Sequence, residues 1–194
     1  MARLPLEGIR VADITVIWAG PYAAMLLADW GAEVIVVEST QYWQSSTRGR
    51  QARPPEAFVK RNMPLISYVN SEAGDRPWNR CTLFNQHARN KLSMTVDLRQ
   101  PRGLEIFKRL VKVSDVVLDN NAGGVMDKLG IGYSALREVK PDIIQISLPG
   151  FGDYGPYKEF HVLGAHIEGL VGHTLLRGYR DLDPRATVTV YHDD

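Results

Sequence analysis

A single cysteine, Cys81, occurs in the 194 residues. An intrachain disulfide is therefore excluded, and no Cys pair is available as metal ligands. No apolar run is long enough to cross a bilayer, and the N-terminus lacks the apolar h-region of a signal peptide. No membrane association and a reducing, cytoplasmic setting are the expectation. Charge of either sign is not in excess: 23 Lys and Arg stand against 22 Asp and Glu, a net +1. Bulk charge thus gives no sign of a nucleic-acid partner, although a local basic patch for a phosphorylated ligand stays open. Internal repeats and low-complexity tracts are also missing.

What is present alternates between β and α patterns. Residues 9–14 (IRVADI) alternate apolar and polar side chains as a strand does. Gly20-Pro21 then precedes an Ala/Leu-rich stretch to Trp30, with Gly31 just beyond it, which predicts a helix. Residues 33–38 (EVIVVE) read as a second strand, buried to judge by its apolar run. A right-handed βαβ unit follows. Order returns with a strand at 92–98, a helix opened by Pro101 with Leu104, Phe107, Leu110 and Val111 on one face, and a strand at 115–119. A mostly helical stretch spans 125–140, and a strand at 142–147 follows. This order predicts a doubly wound, parallel α/β sheet whose ligands gather at the carboxyl ends of the strands.

Between about 39 and 80 no period is sustained. This excursion holds four of the eleven prolines and the basic residues Arg48, Arg50, Arg53, Lys60 and Arg61. Tyr42, Trp43, Phe58, Tyr68 and Trp78 argue against a disordered linker, because so many aromatic rings are costly to leave wet. Short elements at most are expected there.

The loop LPGFGDYGPY (148–157) contains a formal GxGxxG. A dinucleotide fingerprint requires the glycines to turn directly into a helix and an acidic residue to close the next strand. Here Pro156-Tyr157 follows the last glycine, and LLRGY lies some twenty residues on. NAD is not expected. The glycines serve either a plain connection or a loop whose bare backbone approaches another ligand. His161, His166 and His173 match no zinc spacing, Glu168 is misplaced for HExxH, and no GxSxG occurs, so neither a metal nor an α/β-hydrolase nucleophile is expected. Cys81 is expected to pack.

In order, AGPYA, GAEVI, NK-x-S-x-x-x-DL and GFG-x-x-GPY resemble the class III CoA-transferase family. That family takes in formyl-CoA transferase, the carnitine CoA-transferases and α-methylacyl-CoA racemase. The resemblance covers nearly all of the chain outside the excursion. It implies that residues 1–194 form the N-terminal part of the large CoA-binding, Rossmann-like domain of a chain about twice as long. It further implies an interlocked homodimer, and coenzyme A or acyl-CoA with a small carboxylic acid as substrates.

Position by position, the resemblance implies CoA contacts at Ile17, Trp18, Ala19, Val96, Arg99, Asn120 and Lys128. Trp18 departs from the glutamine of some members, and two familiar arginine positions are Ser39 and Ala122 here. Gly150 and Gly152 would present backbone N–H groups to the thioester. The nucleophile would be Asp194, with Asp193 the neighbouring alternative, although a pair of terminal carboxylates reads by composition as solvated tail. On this reading the 194 residues alone give no useful turnover. A racemase is the alternative enzyme, but its GHD element is not found at Leu163-Gly164-Ala165. A non-catalytic CoA-binding module is the alternative of another class.

Overall fold

A computed structural model describes residues 3–61, 67–176, 180, 181 and 183. Five parallel strands form one sheet in the order β3-β2-β1-β4-β5: β1 (Arg10–Asp13), β2 (Glu33–Glu38), β3 (Lys91–Thr95), β4 (Val116–Asp119) and β5 (Ile144–Ser147). The register pairs Val11 with Val34 on one side and with Val116 on the other. The helices are α1 (Ala19–Asp29), α2 (Ser45–Arg48), α3 (Glu56–Lys60), α4 (Thr82–His87), α5 (Pro101–Lys112), α6 (Val125–Lys128), α7 (Tyr133–Val139), α8 (Gly164–Leu170) and α9 (His173–Leu176). The predicted doubly wound α/β architecture is what the chain adopts. Strand order reverses between β1 and β4, and in such sheets a crevice opens at that switch point.

Two apolar layers sandwich the sheet. On one face Ala12, Ile14, Val37 and Val117 pack against Phe107 and Val111 of α5 and Leu136 of α7. On the other, Val11, Val34, Val116 and Leu118 meet Ala24 and Ala28 of α1. The face expected for α5 is the face that is buried, with Leu104 and Leu110 half-buried beside Phe107 and Val111. The approach of α5 to the sheet depends on Gly103. A Cβ there would overlap the carbonyl oxygen of Asp97, so the backbone contact that closes the β3–α5 connection admits only glycine.

Three expectations shift. Helix α1 begins at Ala19, taking Gly20 and Pro21 into its first turn, where a missing N–H costs nothing. Strand β2 buries only Val34 and Val37 fully; its other residues are half-buried or exposed. It lies one strand in from the sheet edge, which β3 forms. The stretch 125–140 is two helices, because Gly130 adopts φ +72° and breaks the run. The described residues of the excursion form short elements, with a small core of Val59, Tyr68, Cys81 and Leu83 beside them. Cys81 is buried there with its thiol free.

Candidate functional site

The carboxyl ends of β1 and β4 lead into two loops that meet over the switch point. Asn120, immediately after β4, clamps them: its Oδ1 accepts the Val16 N–H at 2.9 Å and its Nδ2 donates to the Ile17 carbonyl at 2.6 Å. Trp18 follows with φ 39° and ψ −90°, a conformation that a bulky L-residue keeps only when its surroundings over-determine it. Its ring rests edge-on against His87, 5.5 Å between centroids.

A cleft of about 680 Å³ opens beside these loops, a volume within the range of ligand sites. Its apolar floor is built from Ile14, Val16, Ile17, Val37, Val96 and Leu98, and its far wall from Val125, Leu129, Gly150 and Val162. Glu38, Asp97, Arg99, Asn120, His161 and His166 supply charge and hydrogen-bonding groups. Arg99 is exposed, with its guanidinium 5.0 Å from the ring centroid of Tyr42, another lining residue. A guanidinium in contact with a ring can still offer N–H groups to a phosphate.

Of the seven expected ligand contacts, Ile17, Val96, Arg99 and Asn120 line this cleft. Trp18, Ala19 and Lys128 do not. Trp18 turns towards His87, Ala19 starts α1, and Lys128 lies exposed between Val125 and Leu129 turns that do face the cleft. Ser39 and Ala122, at the two altered arginine positions, both lie on the cleft wall. The basic groups lining it among the described residues are therefore Arg99, His161 and His166. His166 has its Nδ1 committed as acceptor of the Leu163 N–H at 3.0 Å.

The glycine loop passes the same cleft. Gly150 is packed so closely that a Cβ would overlap Val162, whereas Gly152 and Gly155 take φ +78° and +90° in open turns. Turns and not a helix follow Gly155, and α8 begins only at Gly164. The geometry of a dinucleotide fingerprint is missing from this loop. Asp193 and Asp194 lie outside the described residues. Among the described residues, no cluster of three His, Cys, Asp or Glu groups could hold a metal ion. No helix among them is long and apolar enough to cross a membrane.

Behind the cleft runs a chain of charges that motif reading left unassigned. The side chain of Glu38 accepts a hydrogen bond from the Arg48 Nε at 2.7 Å and from the Ser93 hydroxyl at 2.7 Å. A second Arg48 nitrogen, Nη2, closes the ion pair. Arg48 in turn lies 3.6 Å above the Phe84 ring. Burial works against the Glu38 charge, but the hydrogen bonds from Arg48 and Ser93, with the Arg48 and Lys91 charges, outweigh it and hold the carboxyl below the usual range. A depressed carboxyl contributes stability above its unfolded pKa and loses it as pH falls through the folded value. Glu38→Gln is expected to cost about 1–3 kcal/mol at neutral pH and to flatten the acid limb of a melting-temperature profile below about pH 5. An unchanged acid limb would show that the pair is not what titrates.

The motif NK-x-S now has a structural reading. Asn90 turns with φ 59° and binds Asp29, Lys91 enters the core beneath α1, and Ser93 holds Glu38. Sequence alone marked the motif without revealing that two of its three side chains reach across strands.

A family model described as "CoA-transferase family III" matches residues 6–193. The chain is 34% identical over 180 residues to a mouse protein named succinyl-CoA:glutarate CoA-transferase, covering 93% of this chain and 36% of that one. It is 35% identical to a succinyl-CoA–D-citramalate CoA-transferase of Chloroflexus aurantiacus, covering 93% and 39%. Among solved structures it resembles a CAIB/BAIF family protein from Brucella suis, with a TM-score of 0.77 and 32% identity over 99% of this chain and 46% of that one. The chain thus spans less than half the length of these relatives. The chain belongs to CoA-transferase family III.

Proposed function

We propose that this chain is the acyl-CoA-binding part of a transferase that moves CoA between an acyl-CoA and a carboxylic acid. The observation that carries the reading is the cleft at the β1/β4 switch point, where Ile17, Val96, Arg99, Asn120 and Gly150 converge. Its long apolar floor suits a pantetheine arm, and Arg99 at the Tyr42 side suits a phosphate. The names of its relatives pair succinyl-CoA with a second acid, so the proposed acceptor class is a small carboxylic or dicarboxylic acid. Asp194, or its neighbour Asp193, is the proposed nucleophile.

The chemistry balances with one carboxylate. Its oxygen attacks the thioester carbonyl, the C–S bond breaks, and CoA leaves as thiolate, giving a mixed anhydride. The thiolate then attacks the aspartyl carbonyl of the anhydride, whose C–O bond breaks to release the donor acid and leave an aspartyl-CoA thioester. The acceptor carboxylate attacks that thioester and expels the thiolate, giving a second anhydride. The thiolate attacks the acceptor's carbonyl to form the new acyl-CoA and free the aspartate. Backbone N–H groups of the Gly150 loop are the proposed donors to the oxyanion formed at each attack. The proposed assembly is a homodimer of the longer chain.

Calorimetric titration of CoA and of succinyl-CoA into this chain tests the binding part of the reading. Saturable binding is expected, and Arg99→Ala should weaken it by about ten-fold, the size of one charge-assisted contact of about 1.4 kcal/mol. Absence of saturable binding by both ligands up to millimolar concentration would overturn it.

A further inference from the structure

We propose that Lys91 is a positioning residue for the cleft, tying β1 to the first turn of α1 and so holding the turn 14–18 in its ligand-lining form. The proposal rests on the reading of the cleft as an acyl-CoA site. Lys91 starts the edge strand β3, two strands away from β1, yet its side chain is only 3% exposed. Its Nζ donates to Asp13 Oδ2 at 3.1 Å and to the Pro21 carbonyl at 2.8 Å. Asp13 is 1% exposed, and its other oxygen accepts both the Thr15 N–H at 3.0 Å and the Thr15 hydroxyl at 2.5 Å.

The result is a closed ring of contacts around the turn. Asp13 fixes Thr15 at the start, and Lys91 fixes Pro21 at the end. Thr15 lies so close to Gly20 that any Cβ at position 20 would overlap it. The five residues between Thr15 and Pro21 include the left-handed Trp18 and two cleft residues, Val16 and Ile17, and a third cleft residue, Ile14, lies between Asp13 and Thr15. Asn120 holds the same turn from the β4 side. A strained residue survives between two such anchors because neither end can move to relax it. Lys91 itself does not line the cleft; it acts through Asp13 and Pro21.

The test uses Asp13→Asn/Lys91→Met, which removes both buried charges together and avoids leaving one uncompensated. Three quantities are measured: the melting temperature, the CoA dissociation constant, and hydrogen exchange of the amides in 14–18 against those of α5. The expected result is exchange at least ten-fold faster in 14–18 with α5 amides unchanged, and CoA bound at least ten-fold more weakly. Val34→Ala, a core change at the start of β2 and away from the turn, should leave the local exchange and the CoA affinity near those of the parent. Unchanged exchange in 14–18 of the double variant would overturn the proposal, as would an equal effect in both variants. If the parent chain fails to bind CoA at all, the acyl-CoA reading falls instead, while the exchange arm still decides the clamp.

Discussion

Asp194→Ala, placed in a chain of the length of its relatives, is expected to abolish CoA transfer while leaving the CoA dissociation constant within about two-fold. The asymmetry follows from where the proposed nucleophile acts. It meets the thioester carbonyl at one end of a long ligand, whereas the contacts proposed for the nucleotide and pantetheine are Ile17, Val96 and Arg99 of the cleft. Removing a covalent nucleophile removes the only path through the anhydride, and losses of several powers of ten are usual for such changes. Incubation of the parent with acyl-CoA should leave an adduct on this carboxylate, trapped by hydroxylamine or borohydride and located by peptide mass. Asp193→Ala should cost far less. Reversed behaviour of the two variants would move the nucleophile by one residue. A loss below about ten-fold in both, about 1.4 kcal/mol of barrier, would rule out covalent catalysis by this pair, and Glu168 would be the next carboxylate to test.

Much of the fold was legible because each element carries its own period. The α5 face of Leu104, Phe107, Leu110 and Val111 could be read at 3.6-residue spacing and is the face packed on the sheet. Strand order was not legible, since no local pattern says that β1 lies at the centre between β2 and β4. The candidate site was legible only through the family resemblance. Even then, Trp18 faces His87 and not the cleft, because rotamer and backbone strain are set by tertiary contacts that spacing does not record. The Tyr42–Arg99 contact joins the excursion to the β3–α5 connection across 57 positions of sequence, and no periodicity reaches that far. Asp13 looked like a polar position in an alternating strand, and Lys91 fell just before the strand expected at 92–98. Such positions ordinarily face solvent, and only the crossing of β2 puts both charges in the core.

That burial makes the single variant Lys91→Met the most damaging change expected for stability, and makes its cost depend on pH. In the parent, burial pushes the Asp13 carboxyl up, while the Lys91 charge and the Thr15 hydrogen bonds pull it back. Burial likewise pushes the Lys91 ammonium down against the pull of Asp13 and Glu38. Glu38 on β2 is already paired with Arg48 of α2, and His87 of α4 borders the same small cavity. Without Lys91, the Asp13 charge keeps only Thr15, and its folded pKa rises further. A carboxyl raised in the folded state contributes full stability below its unfolded pKa and loses it as pH climbs towards the folded value. Near neutral pH, Lys91→Met should therefore cost about 3–5 kcal/mol, the usual result of stranding one member of a buried pair. The deficit should shrink by about 1.4 kcal/mol for each pH unit as pH falls from the variant's folded Asp13 value towards the parent's own raised value, and should level off below that. Asp13→Asn/Lys91→Met should show a smaller deficit with no such slope. Urea unfolding of the three proteins between pH 4 and 7.5 measures this, and a Lys91→Met deficit independent of pH would place the loss in packing and not in the stranded charge.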